Sequence, residues 1–192
     1  MKLRSYEEWE SGCRACLQNV SELTENMDEE AFNWKPSPGK WSAGECIEHL
    51  NLSASKMLPI IEAALQKGLK KGLSGEPPFE TGFIGAWFLK GSGPSGKPIP
   101  APAVYKPARS SFSKTELLHT FEALQQQYLQ LLAFSRTNRL DLNRIYARSA
   151  FSPLLRFNAA TWFQAMPGHQ QRHLSQIRRL TVLPGFPGTG AG

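Results

Sequence analysis

Long apolar runs are missing from this sequence. None approaches the roughly 20 residues that a membrane-spanning helix needs, and residues 1–8 contain no apolar stretch of the kind found in signal peptides. We therefore expect a cytoplasmic protein that has no membrane partner. Cysteine is also scarce: the 192 residues include three, an odd number, so we expect free thiols and no disulfide framework.

Repeats of fixed period and runs of alternating strand pattern are absent as well, which leaves a helical fold as the expectation. The net charge of +6 permits contact with anions, but the basic residues are interleaved with glutamate and the aromatic residues are spaced for helix packing. Nucleic acid is therefore not the partner we expect. A length of 192 residues with 41% hydrophobic content predicts one domain over residues 1–183, followed by a loose, Gly- and Pro-rich tail at 184–192.

Four long segments repeat apolar residues at the three-four spacing of an amphipathic helix. They cover residues 6–27, 42–70, 113–136 and 158–180. The second and third segments open on capping boxes, Ser42 with Glu45 and Ser113 with Glu116. The fourth opens on Asn158, a favourable N-cap residue. Each of these segments is predicted to be one long helix.

The segment 72–112, between the second and third helices, differs in composition. It holds seven of the fourteen prolines and seven of the sixteen glycines, so no long helix occupies it. Its apolar cluster predicts a short helix that buries an aromatic face against the rest of the protein: Phe79, Phe83, Ile84, Trp87, Phe88 and Leu89. Residues 139–157 are predicted to form a loop with a turn at Ser152. These features together predict an all-α, up-down-down-up four-helix bundle with a long crossover between helices two and three.

The chain has four histidines, and helical spacing indicates which of them face the core and which face water. His169 and His173 fall four residues apart on the core-facing stripe of the last helix, so both imidazoles point inward. His49 lies at the edge of the apolar stripe of helix two, whereas His119 lies nearly opposite the stripe of helix three and should face water. Bundle cores hold metals through side chains of facing helices, and a divalent cation gives buried imidazoles a common partner. We therefore predict His49, His169 and His173 as metal ligands.

The alternative for the histidine pair is a hydrogen-bonded role in the core without metal. A closed structural zinc site normally takes four protein ligands, and three histidines leave positions open for water or substrate. Cys46 is a candidate fourth ligand three residues before His49, although a small apolar role on its helix stripe accounts for it fully. Cys13 and Cys16 have Cys-x-x-Cys spacing, but they lie in a helical seam, which favours core packing over redox chemistry.

Three further residues lie close in sequence to the candidate ligands. Glu45 and Glu48 are candidate hydrogen-bond partners for a metal-bound imidazole, although glutamate on a helix surface is most often only solvated. Pro167 precedes the histidine pair, removes one helical hydrogen bond and predicts either a kink or a restart of the helix there.

Two segments carry a resemblance to a known family: residues 41–50, Trp-Ser-Ala-Gly-Glu-Cys-Ile-Glu-His-Leu, and residues 169–177, His-Gln-Gln-Arg-His-Leu-Ser-Gln-Ile. The first is similar to the start of the second helix in the DinB-like superfamily, and the second is similar to the closing motif of that superfamily. Residues 34–36, Trp-Lys-Pro, fit the same pattern, and the resemblance spans nearly the whole chain. It implies a four-helix bundle, often a homodimer, with a histidine triad that binds a divalent metal. On the matching positions the ligands are again His49, His169 and His173.

The resemblance also bears on function. Relatives in this superfamily include thiol-dependent S-transferases and isomerases that use bacillithiol, mycothiol or glutathione, and metal-dependent hydrolases. We therefore expect an enzyme that uses Zn²⁺ or Ni²⁺ on a small molecule, by hydrolysis or by transfer of a low-molecular-weight thiol. The insert at 72–112 and the Pro167-Gly168 step depart from the family pattern and leave the substrate class open.

The two reactions need different groups beside the metal. Hydrolysis needs a base, for which Glu45 is the candidate. Thiol transfer needs a groove for a charged cofactor, and four basic residues of the crossover are candidates for lining it: Lys90, Lys97, Lys106 and Arg109. The alternative is a non-catalytic, dimeric bundle whose metal site is structural or vestigial.

Overall fold

The computed structural model describes residues 4–97 and 100–187 of the chain. Its elements in chain order are α1 (Tyr6–Thr24), α2 (Glu29–Asn33), α3 (Ala43–Lys70), α4 (Gly82–Ser92), a 3₁₀ helix (Ala103–Tyr105), α5 (Lys114–Thr137), β1 (Tyr146–Arg148), β2 (Arg156–Asn158) and α6 (Ala159–Leu180). The four long helices, α1, α3, α5 and α6, are the four predicted ones. An all-α bundle is therefore confirmed.

Three of the four long helices, α3, α5 and α6, begin at the predicted N-cap residues. At α3 the Ser42 hydroxyl accepts from the Glu45 N–H at 3.0 Å, and the Glu45 carboxylate accepts from the Ser42 N–H at 2.9 Å, which completes a capping box. At α6 the Asn158 side chain accepts from the backbone of the first turn. The cap of α5 differs from the prediction, because Ser113 accepts from the Glu116 N–H and these two described residues make no reciprocal bond.

The long helices run up, down, down and up. Helices α1 and α6 are parallel, because residue numbers rise on both helices from one contact to the next: Trp9 with Gln164, Gly12 with Pro167, and Asn19 with Arg178. Helices α1 and α5 are antiparallel, because residue numbers rise on α1 while they fall on α5: Glu7 contacts Arg136, and Cys13 contacts Gln125. The starts of α3 and α5 lie together, since the Asn51 amide donates to the Leu117 carbonyl at 3.0 Å. Because α3 and α5 are parallel neighbours, the chain between them must return along the bundle, which explains the long crossover.

All three cysteines lie in the core. Cys13, Cys16 and Cys46 are free and fully buried, and burial raises the pKa of both Cys13 and Cys16 to about 12. A thiol with such a pKa is almost never the reactive thiolate at neutral pH. The structure therefore confirms the packing role of the Cys-x-x-Cys pair.

The region predicted as loop between α5 and α6 contains a short hairpin, so that prediction is wrong in part. Strands β1 and β2 pair antiparallel, with Ala147 opposite Phe157 as the buried pair. The Leu155 N–H donates to the Ser152 carbonyl at 3.1 Å, which confirms the predicted turn. Three-residue strands are too short to show an alternating pattern in the sequence. The five-residue helix α2 was missed for the same reason of length.

The short crossover helix exists as α4, but only half of the six apolar residues predicted to be buried, Phe79, Phe88 and Leu89, face the core. Phe88 packs inward and stacks on Phe157, whereas Phe83, Ile84 and Trp87 are exposed. The contact that decides the orientation is at Gly85, where an added Cβ would lie 2.5 Å from the Thr161 hydroxyl. This close approach turns the opposite face of α4 to solvent.

The segment after α6 begins against the body of the protein. The half-buried rings of Trp34 and Phe186 meet edge to face at 5.5 Å, so the predicted loose tail starts as a docked segment, and 188–192 lie outside the described residues. Within the described ranges, no helix combines the length and apolarity needed to cross a membrane.

Candidate metal centre

Three histidines meet where α3 faces α6. The Nε2 atom of His169 lies 3.1 Å from the Nε2 of His49 and 3.2 Å from the Nε2 of His173. The three candidate ligand atoms all lie within 4.8 Å of one another. The structure thus brings together the three predicted residues, while His119, as predicted, is exposed.

Helix geometry places these rings. The spacing of four residues puts His169 and His173 on one face of α6, one turn apart, and α3 presents His49 to that face from a fully helical stretch behind the Ser42 cap. Trp41 covers the same side of the cluster, with its ring 4.9 Å from the His49 ring and 5.9 Å from the His173 ring. An indole at this distance keeps water from one side of the cluster.

A backbone carbonyl of the crossover fixes the orientation of His49. The Nδ1 atom of His49 lies 2.8 Å from the carbonyl oxygen of Tyr105. A carbonyl only accepts, so Nδ1 must donate and the Nε2 atom carries a lone pair. That lone pair is directed at the two other rings. A protein group that holds the second nitrogen of an imidazole in this way is typical of metal-bound histidines.

Burial holds all three rings in the neutral form. Loss of hydration lowers the pKa of His49, the pKa of His169 lies well below its usual value, and the pKa of His173 falls to about 3. The neighbouring imidazoles and the Arg172 guanidinium lower the pKa of His169 and His173 further. Neutral imidazole is the form that binds metal.

The donor set fits a divalent ion. In a tetrahedral zinc site with Zn–N bonds near 2.05 Å, ligand nitrogens lie about 3.3 Å apart, close to the separations from His169 given above. A single hydrogen bond can join only one pair of these nitrogens, whereas one cation can be coordinated by all three. Within the described parts of the chain, this group gains no fourth histidine, cysteine or carboxylate ligand. Three protein ligands leave coordination positions open.

The two candidate carboxylates and Cys46 lie outside this group of ligand atoms. One oxygen of Glu45 pairs with the Lys35 ammonium at 2.8 Å, and the other accepts the Ser42 N–H. Burial raises the pKa of Glu48, and Arg109 opposes that change. Cys46 is fully buried in the core cluster beside Ile47.

Sequence reasoning missed Arg172, which lies between His169 and His173 on α6. Its guanidinium donates to four carbonyl oxygens in the last turn of α4 and the loop that follows it: Gly91, Gly93, Gly96 and Lys97, at 2.9–3.2 Å. The chain curls tightly here, since a Cβ on Gly96 would lie 2.0 Å from the Gly91 carbonyl oxygen. Backbone acceptors leave no pattern in a sequence, so no signal pointed to this contact.

Comparison with known proteins identifies the family of the chain. A family model described as the DinB superfamily matches residues 13–177. The chain belongs to the DinB superfamily. Among curated proteins, it is similar to the uncharacterized protein YuaE of Bacillus subtilis strain 168, with 25% identity over 166 residues that cover 86% of this chain and 92% of that protein. No solved structure matches it.

The matched region of this DinB-superfamily protein contains the whole candidate site. It begins within α1 and ends at Ile177, beyond the last histidine of the cluster. The family resemblance seen in the two sequence motifs is thereby confirmed.

The four basic residues of the crossover that were predicted to line a cofactor groove are all exposed: Lys90, Lys97, Lys106 and Arg109.

Proposed function

We propose that this DinB-superfamily protein is a divalent-metal-dependent enzyme that acts on a small molecule. The observation that supports the proposal is the convergence of three neutral imidazoles with no fourth protein ligand among the described residues. His49, His169 and His173 would hold Zn²⁺ or Ni²⁺. Because all three ligands are neutral, the ion keeps its full charge of +2. When bound, such an ion supplies Lewis-acid chemistry that lowers the pKa of a coordinated water or thiol.

The surrounding residues orient and shield the site. The Tyr105 carbonyl fixes which nitrogen of His49 faces the cluster, and Trp41 excludes water from one side. Arg172 ties the loop after α4 to the helix that carries two of the ligands. The crossover thus contributes both a hydrogen bond to a ligand and a fixed loop close to the site.

The reaction is hydrolysis or transfer of a low-molecular-weight thiol. The four exposed cations of the crossover, Lys90, Lys97, Lys106 and Arg109, support the second reaction, because thiol cofactors such as glutathione and bacillithiol carry carboxylates. The proposal extends to Glu45 as a base for the first reaction. Its two oxygens already hold Lys35 and the cap of α3, so a catalytic role must be separated from a structural one.

Metal analysis tests the proposal directly. Purified wild-type protein should contain about one zinc or nickel per chain, and His173→Ala should lose most of it, since one of three ligands is removed. His119→Ala, which changes an exposed histidine outside the cluster, is the matched control and should keep the metal. Equal metal content in all three proteins would refute the assignment. Activity is then compared on an activated ester and on a thiol acceptor.

Glu45→Gln separates the two roles of that residue. Glutamine at this position still serves a capping box, so the variant should keep the cap and lose about 1–3 kcal/mol of unfolding free energy with the charge of its buried contact to Lys35. If Glu45 is the base, hydrolytic kcat falls about 100-fold or more while KM stays constant. Unchanged kcat would exclude Glu45 from the reaction and leave it a structural residue.

The second candidate is a non-catalytic, dimeric bundle with a structural or vestigial metal site. It is supported by the two apolar core clusters, which contain large, fully buried rings such as Trp9 and Phe163 in one and Phe32 in the other. A core of this kind folds without a metal. If this candidate is right, the protein sediments as a dimer, and a chelator leaves both reactions at background level.

A further inference from the structure

Helix α4 is apolar on two opposite faces. Its inner face, with Gly85, Phe88 and Leu89, packs against α6 and β2. On its outer face Phe83, Ile84 and Trp87 are 88%, 68% and 71% exposed. Helical spacing sets these three within an arc of about 100°. Large apolar side chains grouped on one outer face mark an interaction surface.

The charge of the chain is distributed unevenly around this face. Residues 81–115 contain five basic residues and no acidic residue: Lys90, Lys97, Lys106, Arg109 and Lys114. Residues 142–192 contain six arginines and again no acidic residue. The other parts of the chain carry the remaining 11 basic residues and all 16 acidic ones. Glu80, two residues before α4 begins, is the nearest acidic residue in sequence.

The two segments without acidic residues pack against each other at α4. Phe88 stacks on Phe157 at 4.6 Å, and the residue before Phe157 is the exposed Arg156. Arg172 binds the carbonyls that follow Lys90. Lys90 itself lies two turns after Phe83, on the same side of the helix. Exposed apolar residues and exposed cations therefore occur together on α4 and its surroundings.

We propose that this face, defined by Phe83, Ile84, Trp87 and Lys90, binds the surface of a membrane that contains anionic lipids. Aromatic and aliphatic side chains enter the boundary between headgroups and acyl chains, while flanking cations attract anionic headgroups. This proposal revises our expectation of no membrane partner, which rested on the lack of a spanning segment. Peripheral binding needs no such segment.

Two other occupants fit this face less well. A two-fold dimer would place the same surface of both copies face to face, and here that brings like charges together around Lys90. Single-stranded nucleic acid binds to aromatic rings along which successive bases stack, whereas the outer face of α4 adds an aliphatic side chain, Ile84, on which no base stacks. A lipid surface is the partner that uses both the aliphatic side chain and the cations.

Vesicle co-sedimentation of the full chain tests the proposal. Wild-type protein should bind vesicles of phosphatidylcholine with phosphatidylglycerol about tenfold or more tightly than pure phosphatidylcholine vesicles, and high salt should weaken this binding. The double variant F83S/W87S and the single variant Lys90→Glu should each lose most of the binding. Val182→Ser and Lys56→Glu, at exposed positions away from α4, are matched controls and should bind like the wild type.

Tryptophan fluorescence locates the contact. Trp87 is the most exposed tryptophan, since Trp9 and Trp162 are buried and Trp34 and Trp41 are half-buried. Emission of the wild type should shift to the blue on addition of anionic vesicles. Trp87→Phe keeps an apolar ring, so it should still sediment with the vesicles but lose most of the shift. Far-UV circular dichroism checks that each variant is folded.

Three results would overturn the proposal. The first is equal sedimentation of wild type and a folded F83S/W87S variant. The second is a wild-type dimer that becomes a monomer in F83S/W87S without vesicles, which would make the face a contact between copies. The third is a Trp87-dependent fluorescence change with a single-stranded oligonucleotide and none with vesicles.

Discussion

The phenol of Tyr128 on α5 donates a hydrogen bond to the carbonyl oxygen of Phe163 on α6, at 2.9 Å. In a regular helix that carbonyl would accept from the residue four positions later, which here is Pro167 and has no N–H. The buried phenol therefore replaces the missing helical donor. Helix α6 runs from Ala159 to Leu180 in one piece, so Pro167 does not restart it. Gly12 of α1 packs on the proline ring, where a Cβ would lie 3.2 Å away.

Tyr128→Phe tests this replacement. The variant leaves the Phe163 carbonyl buried without a partner, which should lower the free energy of unfolding by about 1–3 kcal/mol. In a Pro167→Ala background the helix regains its own donor, so the same tyrosine change should cost less than half as much. Urea unfolding of the four proteins in this cycle measures the difference. An equal cost in both backgrounds would mean that the two residues are not coupled.

The predictable parts of the fold are those that local sequence controls. The cap at Ser42 and the spacing of His169 and His173 are decided within one or two helical turns, so both could be read from the sequence. The position of His49 on its stripe then made the cluster predictable, because facing helices of a bundle share a core. The up-down-down-up order followed from the length of the crossover.

The parts that escaped prediction depend on contacts between distant segments. Trp87 was expected in the core because large apolar residues are usually buried, but the close approach of Gly85 to Thr161 decides which face of α4 is outside. The Tyr105 carbonyl that orients His49 is a backbone atom. It carries no residue-specific signal, and neither do the carbonyls that hold Arg172.

Arg172→Gln should loosen the loop that follows α4. Glutamine cannot reach four carbonyl groups at once, so the loop from Gly91 to Lys97 loses its shared donor. Limited trypsin digestion, followed by mass spectrometry, should show cleavage after Lys90, next to the held Gly91 carbonyl, at least several-fold faster than in the wild type. Arg178→Gln on the exposed side of α6 is the control. If the two variants are cut at the same rate after Lys90, Arg172 does not hold the loop.

Acid should destabilise the metal-free protein through the histidine cluster. The pKa of His173 is about 3 in the folded protein against a reference of 6.5, and the pKa values of His49 and His169 are lowered as well. Above pH 6.5 the rings are neutral in both states and contribute no pH dependence. Below pH 6.5 the unfolded chain binds protons that the folded chain does not, so stability falls with pH until the folded pKa is reached. His173 therefore contributes about 1.4 kcal/mol per pH unit in this range, and the lowered pKa values of His49 and His169 act in the same direction.

Chelator-treated protein, unfolded in urea at several pH values between 7.5 and 5, measures this slope. His173→Gln removes one titrating ring and should reduce the loss of stability by roughly 1 kcal/mol per pH unit relative to the wild type. His119→Gln removes an exposed histidine outside the cluster and serves as the matched control. Identical pH profiles for wild type and His173→Gln would show that the ring is not held neutral by the fold. Added Zn²⁺ should raise the free energy of unfolding of the chelator-treated protein at pH 7.5. This stabilisation should become smaller toward pH 5, because protons and metal compete for the same nitrogens.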